Sequence, residues 1–274
     1  MSTSNNTTDK KVMKWETLKD KNPWKEIFNE DTQVLLDRLL NEKDVEFICP
    51  GDEDIIHKRN ETLKVKGKIN NVFVTSLLPK PYRGNLKDPK LVILSLNPGY
   101  NERVKKKMFK MLREEHQLQF IEIAKKNALL EDGCSINYDD VDEVTDNGYW
   151  VDKLSNLQEK GVDLSKIGLM QFIPYASESF DSWKEEGNLY TQQFSRKIIL
   201  RLLYEEKSTL FLVMRSRKQW EKLIGKEVMD KFKDNFLFNI NPICQKITRD
   251  NLMNKDASKP DQYQTILDAF NNNQ

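Results

Sequence analysis

The chain has 274 residues, a length that suits one large domain or two small ones, and 38% of them are hydrophobic, enough for a sizeable core. Charged residues make up 32%, with 44 Lys and Arg against 43 Asp and Glu; the net charge of +1 gives no global field for nucleic acid and leaves any such binding to a local patch. Three scattered cysteines (Cys49, Cys134, Cys244) and two isolated histidines (His57, His116) argue against a disulfide framework, a zinc site or an iron–sulfur cluster, so neither metal nor cofactor is expected.

Met1 to Lys14 is polar and lacks the apolar stretch of a signal peptide; it predicts a disordered tail on a cytoplasmic protein, ahead of a single domain over residues 15–274. From Trp15 to Leu40 the residues Trp24, Ile27, Phe28, Val34, Leu35 and Leu39 recur near helical spacing, which predicts one or two helices interrupted near Pro23. Residues 57–70 are polar and lysine-rich and predict a loop or an edge hairpin. Leu78-Pro79-Lys80-Pro81-Tyr82 predicts a rigid, extended lead-in, because each proline restricts the residue before it.

Four short apolar runs follow: Leu91–Leu96, Ile167–Ile173, Thr209–Met214 and Asn235–Ile240. Helical patterns separate them, over Val104–Leu130, Leu189–Glu206 and Arg217–Phe232, and another short patch lies at Tyr263–Phe270. Alternation of this kind predicts an α/β fold with a short, mainly parallel four-stranded sheet, its strands covered on both faces. The longest run is far too short to cross a membrane. The acidic stretch Glu131–Asp146 reads as a solvated loop, closed by Gly148-Tyr149-Trp150-Val151, whose aromatics anchor it to the core.

Ligands of parallel sheets bind beyond the carboxyl ends of the strands. The residues there are Asn97-Pro98-Gly99-Tyr100, Pro174-Tyr175-Ala176-Ser177, Arg215-Ser216-Arg217-Lys218 and Asn241-Pro242-Ile243-Cys244. Pro-Gly alone is ordinary turn chemistry. Two Asn-Pro exits at strand ends are harder to attribute to turns alone.

The run from Leu91 to Gly99 resembles the first motif of the uracil-DNA glycosylase superfamily, in particular its mismatch-specific branch, where Asn stands in the catalytic position. Asn241-Pro242 is similar to the second motif, although Ile243 and Cys244 stand where the family carries Ser. The Leu78–Gly84 lead-in resembles bacterial glycosylase-like antiphage proteins. The resemblance implies a three-layer α/β/α domain preceded by N-terminal helices. It implies a monomeric, cofactor-free DNA glycosylase that flips a modified, damaged or mismatched base, with modified phage cytosine one candidate.

On that reading Asn97 orients the attacking water through its side-chain carbonyl, with Glu102 as a possible base. Pro98, Gly99, Tyr100, Gln171, Phe172, Tyr175 and Asn241 form the base pocket, and Ser177 can also read a base edge. Arg215, Arg217, Lys218, Lys246 and Arg249 grip DNA phosphates. Lys105, Lys106, Lys107, Lys110 and Arg113 give the next helix a basic face. The first alternative is a catalytically inactive member of the same fold that binds DNA or protein. The second, an enzyme acting on a small nucleotide, would carry a glycine-rich phosphate loop, and the chain has no Gly-x-Gly.

Overall fold

A computed structural model describes residues 12–41, 45–99, 113–134, 136, 149–241, 246–253 and 260–271. The predicted strands form as β2 (Leu91–Ser95), β3 (Ile167–Gln171), β4 (Leu210–Val213) and β5 (Phe236–Phe238), all parallel. A fifth strand, β1 (Tyr82–Gly84), lies at the end of the proline lead-in and pairs antiparallel with β3. The sheet is therefore five-stranded, in the order β1-β3-β2-β4-β5, and the expected count of four is corrected. Three residues after a proline are too few to show a period, so pairing with β3 makes this strand, not its own pattern.

Each strand offers its alternate side chains to a different hydrophobic cluster, as a fully covered parallel sheet requires. Val92, Leu94, Met170, Phe211, Val213 and Phe236 join one cluster. It includes residues of α1 (Trp15–Asp20), α2 (Lys25–Phe28), α3 (Thr32–Asn41), α4 (Glu53–Val65), α5 (Glu114–Ala128), α7 (Tyr190–Glu205), α8 (Arg217–Ile224) and α9 (Lys226–Lys231). Leu91, Ile93, Ile167, Leu169, Leu210, Leu212 and Leu237 join the other. There they meet α6 (Tyr149–Glu159), α10 (Arg249–Leu252) and α11 (Gln262–Asn271). The edge pair of β1 and β3 needs glycine at both partners. A Cβ on Gly84, at φ +71°, would come within 2.4 Å of the Ile167 carbonyl oxygen. One on Gly168 would come within 2.2 Å of the Asn85 carbonyl.

Three local expectations change. Residues 57–70 are not a hairpin: α4 runs through Val65, and a left-handed Gly67 turns the chain. Its apolar residues Ile56 and Leu63 are buried, but Lys58, Lys64 and Lys66 between and beyond them mask the helical period. The N-terminal segment forms three helices, since Pro23 and the Asn29–Asp31 stretch break it twice. The Arg217–Phe232 pattern is cut into α8 and α9 by Gly225 at φ +99°, a backbone value that ends a helix. The Leu189–Glu206 pattern forms as α7, and the part of Val104–Leu130 among the described residues forms as α5. Among the described residues no helix is long and apolar enough to cross a membrane.

Candidate active site at the strand ends

The chain leaves β2 for β3 on one side and then crosses to β4 on the other, so the sheet reverses direction at β2 and β4. In parallel sheets ligands bind beyond the carboxyl ends at such a reversal of strand order. Asn97 follows β2 there, half-buried. Its Nδ2 donates to Ser177 Oγ at 2.9 Å and to the Pro98 carbonyl at 3.3 Å. The exits of β2 and β3 run side by side: Gly99 bridges Ser177, whose N–H donates to the Pro98 carbonyl. Ser177 is itself fixed, because its hydroxyl donates to the Ser179 carbonyl at 2.7 Å. The Asn97 amide is thus held by its nitrogen, while its Oδ1 accepts no hydrogen bond among the described residues. A fixed amide with an open carbonyl oxygen can orient a water or a donor edge.

The β3 exit has a stiff back. Tyr175 is 1% exposed, packed against Trp24 and Phe73, and its hydroxyl donates to Asp52 at 2.9 Å while accepting the Cys49 N–H. Asp52 also accepts from the hydroxyl and N–H of Thr191, in the first turn of α7. Burial raises the Asp52 carboxyl above its usual value, against the lowering pull of the hydrogen bonds from Thr191 and Tyr175. Burial likewise pushes the Cys49 thiol up to about 12, which makes it an inert core residue. Gln192, one residue on, donates to the Phe172 carbonyl at 3.0 Å. Phe172 is 1% exposed and meets Trp220 edge-on at 5.3 Å between centroids.

The base-pocket placement of Phe172 and Tyr175 is therefore corrected. Both rings are consumed by the core on the side of the N-terminal helices, and neither offers a face to a ligand. The Ser177 hydroxyl is engaged, accepting from Asn97 and donating to the Ser179 carbonyl. Gln171 stands level with Ser95 of β2 and is 7% exposed, with its Oε1 buried and without a hydrogen-bond partner. An unanswered buried carbonyl costs about 1–3 kcal/mol.

At the other Asn-Pro pair the described residues are tied to α10. Asn241 donates from Nδ2 to Asn251 Oδ1 at 2.9 Å, its N–H donates to Asn239 Oδ1, and Ile240 N–H donates to the Asn251 carbonyl. Asn241 thus fastens the β5 exit to α10 and stands apart from the Asn97–Ser177 pair. Ser216, at the β4 exit, adopts a left-handed φ of +61°, a strained value for a residue with a Cβ.

The predicted phosphate cations divide. Arg217 pairs with Glu221 at 2.7 Å and lies over Phe238. Lys246 pairs with Asp152 at 2.5 Å and Arg249 with Asp261 at 2.6 Å. Arg215 and Lys218 are exposed at the β4 exit, Arg215 beside Tyr149. Tyr100, Glu102, Lys105, Lys106, Lys107, Lys110, Pro242, Ile243 and Cys244 lie outside the described residues, while Arg113 is exposed at the start of α5. Of the acidic stretch only its first residues and Ile136 are described; beyond it, Trp150 is buried in the core and Tyr149 is exposed. Among the described residues no group of three His, Cys, Asp or Glu could hold a metal ion.

Comparison of the chain with protein-family models, with curated proteins and with solved structures gave no match.

Proposed function

We propose that the chain is a DNA glycosylase of the uracil-DNA glycosylase type, hydrolysing the N-glycosidic bond of a flipped-out modified, damaged or mismatched base. The observation that carries this reading is Asn97: an amide at the exit of the central parallel strand, clamped through Nδ2 by Ser177 and open at Oδ1. Glycosidic cleavage develops cation character on the sugar and anion character on the base. Asn97 Oδ1 accepts a hydrogen from water and aims its oxygen at the sugar carbon, and the new C–O bond replaces the bond to the base. The proton released by the water ends on the departing base. Because an amide cannot take that proton itself, the reading favours a base that already leaves readily. Gln171, with its unanswered buried carbonyl, is the residue best suited to accept from an exocyclic amine. The two hydrophobic clusters, one on each sheet face, support the three-layer α/β/α arrangement that the reading implies. A cytoplasmic monomer acting on the modified cytosines of phage DNA fits the same proposal.

One observation favours a second reading, an inactive DNA- or protein-binding member of this fold. Arg217, Lys246 and Arg249 are each tied to a carboxylate and so are weakened as phosphate grips. A base-release assay decides between the two, using DNAs that carry uracil, mismatched thymine, hydroxymethylcytosine or glucosylated hydroxymethylcytosine, with alkali-induced scission reporting abasic sites. Release that disappears in Asn97→Ala establishes the glycosylase. Binding without release from any substrate establishes the second reading, and absence of both sinks the two together.

A further inference from the structure

A second basic feature lies away from the strand-end cations, at the end of α4. Five cations fall between Lys58 and Lys68, on the last turns of α4 and the turn beyond it. Lys58, Lys64 and Lys66 are exposed and make no ion pair among the described residues, although Glu46 lies within reach of the Lys64 charge and Asp181 of the Lys66 charge; Lys68 pairs with Asp181 at 2.6 Å. The turn at Gly67 carries two apolar side chains into solvent, with Val65 88% and Ile69 61% exposed. An alternation of lysines and uncovered apolar residues at one tip suits a partner that offers anionic groups and flat apolar faces together.

A groove of about 630 Å³ runs beneath this tip. Lys58, Arg59, Lys66 and Lys68 line it from the α4 side, and Trp183 faces them. Three carboxylates also line it, Asp54, Asp181 and Glu185, and Asp181 is already bound by Lys68. Arg59 forms the floor. It is only 5% exposed, stacked 3.8 Å from the centroid of Phe73 and 4.6 Å from that of Trp183, and its Nε is buried without a partner. Asp181 and Glu186 already act on the Arg59 guanidinium, so the positive charge left over at this end is that of the exposed lysines Lys58, Lys64 and Lys66.

The groove is joined to Asn97 by a short hydrogen-bonded path. Arg59 donates to the carbonyls of Asn71 and Asp181. Ser179 N–H donates to the Asn70 carbonyl at 2.8 Å, and the Ser179 carbonyl accepts from Ser177, the residue that holds Asn97. Tip, groove and Asn97 are therefore braced by one loop, 177–183.

We propose that the groove and its lysine tip are the docking surface for the phosphate backbone of the nucleic-acid strand engaged at Asn97, a statement that rests on the glycosylase reading for the site but not for the binding. The lysines take the phosphates, and Val65 and Ile69 cover a sugar or base face beside them. The paired cations of the carboxyl-terminal half play a minor part.

The test is fluorescence anisotropy of short fluorescein-labelled single- and double-stranded DNA, titrated with the full chain at several salt concentrations. Lys58→Glu/Lys64→Glu/Lys66→Glu is expected to bind at least about tenfold more weakly, with the slope of log affinity on log salt reduced by about two to three. The milder Lys→Gln triple variant should fall between it and the wild type. Lys246→Glu/Arg249→Glu should stay within about threefold of the wild type, since those cations are already paired. Unchanged binding by both triple variants overturns the proposal. So does absence of wild-type DNA binding, including the case in which the chain binds phosphatidylserine vesicles instead. Base release measured on the same preparations separates the two claims. Release with binding insensitive to the lysines sinks only the docking surface, and lysine-dependent binding without release sinks only the glycosylase.

Discussion

Asn97 and Asn241 each end a parallel strand, each precede a proline and each donate their side-chain amide nitrogen, but to neighbours of different kinds. At Asn241 the amide nitrogen and the backbone N–H both reach nearby asparagines, and the exit is sewn to α10. At Asn97 the nitrogen is taken by Ser177 and the Pro98 carbonyl, and among the described residues the carbonyl oxygen accepts no hydrogen bond. The difference follows from the neighbours. β5 lies at the sheet edge, where a short helix returns against its exit. β2 is central, flanked by β3 and β4, whose chains leave in different directions. An identical dipeptide is a fastening where the chain folds back on it and, on the glycosylase reading, a working group where the chain parts around it.

The contrast is broken or sharpened by substitution. The largest effect is expected from Asn97→Ala, which should lower the rate of base release about a hundred- to a thousandfold with little change in unfolding temperature. Equal loss of rate and stability would make Asn97 a second fastening. Next comes Asp52→Ala, at the stiff back of the β3 exit. It strands the hydroxyl and N–H of Thr191 in a dry site, so calorimetry should show a loss of about 3 kcal/mol. For a chain this size that is about 6–10 °C in unfolding temperature. Ser177→Ala frees the Asn97 amide, and an about tenfold slower release with binding preserved would mark Ser177 as a positioning residue. Asn241→Ala should cost about 1 kcal/mol and leave the rate unchanged. A rate loss there, matching that of Asn97→Ala, would erase the distinction.

The smallest effect is on pH dependence. The folded chain holds the Asp52 proton more tightly than the unfolded chain, because burial raises this carboxyl above its usual 3.8. That contribution is fully present below 3.8 and is lost as pH rises through the raised folded value. Asp52→Asn has no such term. The unfolding temperature of the wild type relative to this variant should therefore fall as pH rises across that window; an invariant difference would show that Asp52 titrates normally.

Much of the fold was written in periodicity. Four apolar runs separated by helical patterns were enough for the α/β class and the parallel pairing, because burial on both faces demands continuous apolar strands. The same reasoning put Asn97 at a strand exit. Period failed wherever a neighbour supplied the stabilisation. β1 exists only because β3 offers an edge and Gly84 and Gly168 let the backbones close, and α4 was hidden by its lysines.

Side-chain roles near the site were least legible. Phe172 and Tyr175 sit beside strand ends in sequence, but the N-terminal helices, distant in the chain, cover them and turn two candidate pocket walls into core. Ser177 could be named as a polar group near the site, but its task as clamp depends on a contact 80 residues away. Arg217 and Glu221 stand four residues apart on one predicted helix, a pair legible in the sequence, whereas only folding sets Asp152 beside Lys246 and Asp261 beside Arg249. The sequence by itself determined which segments must be buried and where the strand exits fall, since both follow from local hydrophobic pattern. Which polar groups are answered and which are left open was decided by tertiary structure alone, because a hydrogen bond depends on partners that long-range packing brings within 3 Å.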